Sequence, residues 1–467
     1  MTDTRVREGQ AWPRRLEWAL LAVIAIDLVT NDLNTTRYYW DFAIYFEMAE
    51  HGLDPDANDS LWAPFVYRFA TPLLAGALND LFDFEAVTDG FKIIAYVGAV
   101  AQLVAVFALA EHFRLGFGMA LIPVAVIALT LYNVKFLIFD VSRPDHLAYP
   151  LMIAALLAIW RRKYALATAL SCVGLLVREF LIIPPIILLL VLARDFWRER
   201  SWRAAGQMAA MLAAVSLFVI VPRVLIPIKG SGQFFDPVNN SDALTVLVNA
   251  PLSKRRLVNI LLNFSGYLLP VLVLITPRRA RAAWDRLAGY RWLLGVYTAL
   301  VLALTLYGGT DIWRFTTYQF VPLVIVLAAL LRGEIDRAEI AYMLVVTLVF
   351  NKILLDIPNW IDQYLDFYGG YDIRVNLTTF HRFYEIGTYI LGAILLRGLL
   401  GLARRGWLLS RRREDSAAQT GNRSMPGKTE SWSDLLRHCR DPPTAYSYQA
   451  MESTRSATAC RDAWDGG

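Results

Sequence analysis

The sequence is short of charge. Only 19% of its 467 residues are Asp, Glu, Lys or Arg, against about 25% in a soluble domain, and so little polar material cannot cover the surface of an ordinary soluble enzyme. Cysteine is scarce too: Cys172 lies in an apolar run, and Cys439 and Cys460 lie in a polar tail. That arrangement excludes a disulfide framework. The five histidines include no i, i+4 pair of the kind that ligates a metal on a helix. No Gly-rich phosphate loop follows a strand pattern, and no internal repeat is visible.

What the chain has instead is apolar material, 56% of all residues, and it is segmented. Runs recur at about 16–33, 91–111, 117–137, 146–160, 164–177, 180–193, 206–228, 257–276, 292–307, 316–331, 338–355 and 383–403. A bilayer core of ~30 Å calls for about 20 such residues per span. The pattern predicts an all-α, polytopic transmembrane helical bundle of about 11–12 spans. The first run follows Arg5, Arg7, Arg14 and Arg15 and ends in Asp27, Asn31 and Asp32 without a small-residue cleavage site, so it reads as an uncleaved anchor.

Basic residues in short loops mark the cytoplasmic side. With 1–15 as a cytoplasmic N-terminus, the connections at 112–116, 161–163, 194–203, 278–291 and 332–337 and the stretch from Arg404 hold most of the Arg near the apolar runs. The opposite set, led by a first outer loop at 34–90, is richer in Asp, Glu, Trp and Tyr. Lys254-Arg255-Arg256 falls on that outer side against the charge rule, either as side chains reaching head groups or as a cationic clamp. The membrane part is expected to end near 403. Residues 404–467, rich in Ser, Thr, Arg and Asp with Pro442-Pro443, read as a disordered cytoplasmic tail.

Charge at the edge of an apolar run is costly and by default marks a site. Asp41, Arg68, Asp145, Arg178, Glu179, Asp311 and Arg314 all fall at outer ends of runs. Positions 42, 45, 46 and 49 repeat at helical spacing behind Asp41, predicting an amphipathic helix along the membrane plane. A second amphipathic stretch spans Phe65 to Ala75. Each charge also has a local reading: Asp41 and Asp145 as helix caps, Asp311 with Arg314 as an i, i+3 pair, and Arg178-Glu179 as an ion pair fixing a hairpin.

Asp41-Phe-Ala-Ile-Tyr45, then Tyr67-Arg68-Phe-Ala-Thr-Pro72, Ser142-Arg143-Pro144-Asp145, Val177-Arg178-Glu179 and Gly309-Thr310-Asp311-Ile-Trp-Arg314 resemble, in kind and order, the integral-membrane glycosyltransferases of the GT-C superfamily over about 16–403. The resemblance implies transfer of a sugar from a polyprenyl-phosphate-linked sugar donor to a glycan, lipid or protein acceptor on the outer, periplasmic face of a cell inner membrane, with both termini cytoplasmic and no nucleic acid partner. It also implies inversion, with Asp41 as general base. Arg68, Arg178, Arg314, Arg255 and Arg256 would bind the phosphate; Tyr45, Tyr67, Asp145, His146, Glu179 and Asp311 would support them. No cofactor is expected. Asp54-Pro55-Asp56 has the D-x-D spacing of a divalent-cation site, but in Gly-Leu-Asp-Pro-Asp-Ala-Asn-Asp that is more often turn chemistry. A secondary transporter and a lipid-linked glycan polymerase or ligase are the competing readings.

Overall fold

The computed structural model describes residues 41–130, 140–231, 267–307, 312–333 and 335–350, together with 133, 257, 260, 264 and part of 387–406. The expectations for the first apolar run, Lys254, Arg255, Arg256, Asp311 and the tail fall outside the described residues. The chain divides into two compact units, Met1–Gly398 and Leu399–Gly467. In the second, the described positions 399, 401, 402 and 406 are helical; everything below concerns the first.

The described residues are about 80% helical, in 14 α-helices. These are α1 (Asp41–His51), α2 (Ala70–Phe82), α3 (Val87–His112), α4 (Phe117–Ala128), α5 (Asp145–Trp160), α6 (Tyr164–Val177), α7 (Ile183–Glu199), α8 (Trp202–Leu225), α9 (Leu269–Leu272), α10 (Pro277–Arg286), α11 (Arg291–Tyr307), α12 (Ile312–Thr316), α13 (Phe320–Leu331) and α14 (Arg337–Phe350). Short 3-10 turns at Phe65–Arg68, Glu179–Ile182 and Thr317–Gln319 join α1 to α2, lead into α7 and link α12 to α13.

Among the described residues, four stretches are long and apolar enough to cross a membrane: Val87–His112, Glu179–Glu199, Trp202–Leu225 and Arg314–Leu331. Counting the bent pair of Pro277–Arg286 and Arg291–Leu306 as one span makes five. That is fewer than the 11–12 expected, though part of the shortfall lies in residues outside the description. The rest has a physical cause: α4, α5 and α6 have 12, 16 and 14 residues. At 1.5 Å per residue they reach about 18 to 24 Å, short of a ~30 Å hydrocarbon layer. An apolar run in the sequence does not distinguish a lipid-facing span from a shorter helix buried among its neighbours. The set of helices is that of a multi-pass membrane protein.

Register within the bundle is fixed by close approach. Helices α3 and α5 run parallel: Gly98 meets His146, and His112 stacks on Trp160 at 5.3 Å, each contact fourteen residues further along both chains. A Cβ on Gly98 would lie 2.7 Å from the His146 carbonyl oxygen and 2.8 Å from its Cβ, so only glycine lets α5 sit this near. Helix α13 is the centre, with eleven of its twelve residues buried. Helix α8 is the opposite case, leaving Leu212, Leu217, Ile220, Val224 and Leu225 exposed, as a lipid-facing helix does.

The amphipathic reading of residues 41–51 and 65–75 corresponds to real helices, and α1 turns its apolar face into the protein. Phe42, Ile44, Tyr45, Phe46 and Met48 are buried, with Phe46 edge-on to Phe91 of α3 at 5.1 Å. The segment between α1 and α2 is tied to the end of α8 by a short parallel pairing of Trp62–Ala63 with Gly230–Ser231. Lys229 N donates to the Leu61 carbonyl at 2.9 Å, and its Nζ donates to Asp59 at 2.7 Å.

Candidate functional site

Five of the charged residues singled out in the sequence meet at one end of this bundle. Arg68, the last residue of its 3-10 turn, donates from Nε and Nη2 to the two carboxylate oxygens of Glu179, both at 2.8 Å, and from Nη1 to the Tyr45 hydroxyl at 3.1 Å. Glu179 Oε1 also lies 3.7 Å from Arg178 Nε. Arg178 Nε lies 3.4 Å from Asp145 Oδ1, and the other Asp145 oxygen lies 4.0 Å from Arg314 Nε. Charge thus alternates along Arg68, Glu179, Arg178, Asp145 and Arg314.

Local structure aims each member. Asp145 opens α5 but caps nothing there: Oδ1 accepts from the Tyr318 hydroxyl at 2.6 Å, and Oδ2 has no hydrogen-bond partner among the described residues. The capping expectation for Asp145 is therefore corrected: a tertiary hydroxyl and two guanidinium groups outcompete its own helix. Arg178 has extended backbone, φ −157° and ψ 136°, which breaks the helix between α6 and the Glu179 turn and lets the two side chains diverge. Arg178–Glu179 is one link of a larger chain rather than an isolated hairpin pair.

Burial sharpens the electrostatics. The side chains of Arg178 and Asp145 are both 0% exposed. None of the three Arg178 guanidinium nitrogens makes a hydrogen bond among the described residues, leaving ion pairing and the Phe315 ring, 5.8 Å from its Cζ, as its surroundings. A buried cation without hydrogen bonds is rare and calls for a reason. For Arg68, burial and then Arg178 oppose the charged form, but Glu179 and Tyr45 outweigh both and raise its pKa above the ordinary arginine value.

Tyrosine hydroxyls extend the cluster inward. Tyr149 shares a 2.5 Å hydrogen bond with Thr317, which donates to the Arg314 carbonyl, and Tyr297 donates to the Tyr318 carbonyl at 2.8 Å. Phe180 stacks on Tyr318 at 4.2 Å. Beside this lies a second buried set, in which Arg143 pairs with Asp140, Ser142 donates to Asp140 at 3.2 Å, and His146 Nε2 is 3.4 Å from the Asp140 carbonyl.

A cleft of about 350 Å³ opens onto Arg68 and Glu179. One wall is Pro64, Tyr67 and Arg68; the other is Phe218, Val219, Pro222 and Arg223 of α8, with Leu175 and Glu179 between them. Glu179 is the half-buried acid here, its side chain 39% exposed. Arg223 is exposed, lies 4.7 Å over the Tyr67 ring and donates to the Val219 carbonyl at 2.7 Å.

Asp41 is the first residue of α1, four positions before Tyr45. Asp54 and Asp56 form a turn: Asp54 Oδ1 accepts the Asp56 N–H at 3.0 Å, and the Asp54 carbonyl accepts from Asn58 at 2.9 Å. Among the described residues no three His, Cys, Asp or Glu side chains are grouped to hold a metal ion. Tyr318, Thr317 and Arg223 are members the sequence did not single out. Arg223 carried a signal, as a charge inside the 206–228 run; Tyr318 carried none. No protein-family model, curated protein or solved structure matches this chain.

Proposed function

We propose that this chain is a membrane glycosyltransferase of the GT-C kind, taking a sugar from a polyprenyl-phosphate donor to an acceptor hydroxyl at the outer face. The observation that carries the reading is the convergence of Arg68, Glu179, Arg178, Asp145 and Arg314 beside a cleft walled by a lipid-exposed helix. A donor confined to the bilayer presents its phosphate at head-group depth, and a cleft between α8 and the 64–68 turn is open to such a substrate.

In the proposed reaction the acceptor oxygen bonds to the anomeric carbon while the carbon–oxygen bond to phosphate breaks. The phosphate leaves with that electron pair, and the acceptor proton passes to a carboxylate. Guanidinium groups stabilise the departing charge. Glu179 is committed to Arg68 through two hydrogen bonds, which makes it a poor base, and Asp145 is fully buried. Asp41 remains the choice for the base, and single displacement inverts the centre.

The test is sugar transfer from lipid-phosphate donors by membranes carrying Asp41→Asn. Loss of transfer with donor binding retained supports the reading, and unchanged activity removes Asp41 as the base. Uptake of a solute into proteoliposomes with no covalent product would replace the enzyme with a transporter.

A further inference from the structure

The opposite end of the bundle carries a feature that sugar transfer does not use. There the C-terminal ends of α3 and α5 meet Tyr290, whose ring is 4.9 Å from Phe113 and 5.8 Å from Trp160. Just before Tyr290 runs α10, Pro-Arg-Arg-Ala-Arg-Ala-Ala-Trp-Asp-Arg, capped by Thr276 accepting the Arg279 N–H at 3.3 Å. It meets α11 at 102°. With α11 standing across a bilayer, α10 lies along its surface at head-group depth.

The inner side of α10 is fastened to the protein. Arg279 grips Glu339 of α14 with two hydrogen bonds of 2.9 and 2.7 Å, Arg286 donates to the Ala329 carbonyl at 2.8 Å, and Ala283 is buried. The outer side is held in shape and, among the described residues, is left uncovered. Arg291 donates to the Trp284 carbonyl and to Asp285 and lies 4.6 Å over the Trp284 ring, which is 56% exposed in residue terms. At helical spacing Arg278 and Arg281 share that outer side. Both are exposed, and among the described residues neither side chain has an ion-pair or hydrogen-bond partner. Of the acids on α10 and facing it from α14, Asp285 is taken by Arg291 and Glu339 by Arg279.

We propose that Arg278 and Arg281, with Trp284 beside them, form a docking site for the head groups of anionic phospholipids. Two exposed guanidiniums with no protein anion among the described residues are open to phosphate oxygens, which arginine binds well, and an exposed tryptophan is at home at that depth. The inference rests on the membrane reading of the helices and is independent of glycosyl transfer.

The test measures thermal unfolding of the purified full chain in neutral detergent with added phosphatidylglycerol, phosphatidylcholine or inorganic phosphate. The native chain is expected to gain stability with phosphatidylglycerol beyond that with phosphatidylcholine. The variant Arg278→Gln/Arg281→Gln should lose that gain, with apparent affinity falling about fivefold per arginine removed. A control changing Arg161, Arg162 and Lys163 to Gln should keep it. A full gain in the first variant, an equal loss in the control, or the same gain from inorganic phosphate overturns the proposal. Should the double variant unfold, Arg278→Gln and Arg281→Gln singly carry the same comparison.

Discussion

Arg178 and Asp145 lie 3.4 Å apart, neither exposed, at the centre of an alternating row of five charges. Removing either one leaves its buried partner with one counter-charge fewer, Asp145 with Arg314 and Arg178 with Glu179, which costs up to about 3–5 kcal/mol. Arg178→Met should lower the unfolding midpoint in detergent sharply, and Arg178→Met/Asp145→Leu should recover much of the loss. A double variant no better than the single one would mean the two charges do not act as a pair.

Asp41→Asn is expected to lower sugar transfer by about a hundredfold or more, the usual contribution of a positioned general base. Asp41 is the first residue of α1, and with the base alone removed, donor binding and the unfolding midpoint should stay close to those of the native chain. Kinetics with a saturating lipid donor would show the loss in kcat rather than in KM.

Arg68→Lys keeps the charge but cannot reproduce the two-pronged contact with Glu179. It should leave Glu179 poorly held and reduce transfer, while Tyr45→Phe, which removes one hydrogen bond, should cost about 1 kcal/mol of stability. Comparing both by thermal unfolding and initial rate separates holding the site from packing it.

Arg223 is exposed on α8 and its side chain rests on the Tyr67 ring at the cleft, so Arg223→Gln should fold normally. If the cleft admits a lipid phosphate, this variant raises KM for the donor by about tenfold, in line with loss of a charge-assisted hydrogen bond. An unchanged KM would separate the α8 wall from substrate.

Gly98→Ala places a methyl group against the His146 backbone and should destabilise by about 1–3 kcal/mol, the usual penalty of overpacking. Since His146 follows Asp145, the same change should also disturb the cluster. Loss of activity exceeding the loss of folded protein would be the sign of it.

The sequence made the members of the cluster legible because each breaks an apolar run at its edge, and such breaks are expensive. It could not pair them. Arg68 and Glu179 are 111 residues apart, and no local spacing links them. The local reading of Asp145 as a cap was overridden by Tyr318, which sits 173 residues later and looks in the sequence like any aromatic in an apolar run. The spans found among the described residues are fewer than the apolar runs for a related reason: α4 and α5 are as apolar as spans but are largely buried by other helices, and hydropathy alone does not set the length of a helix. Arg223 shows the reverse, a charge visible in the sequence whose meaning depended on Tyr67 lying beneath it.

The pairing of Trp62–Ala63 with Gly230–Ser231, reinforced by Lys229, joins the two walls of the cleft beyond their far ends. Prising α8 away from the 64–68 turn would have to break that stitch first. Any substrate that needed the two walls further apart would have to part this pairing and the two Lys229 hydrogen bonds with it.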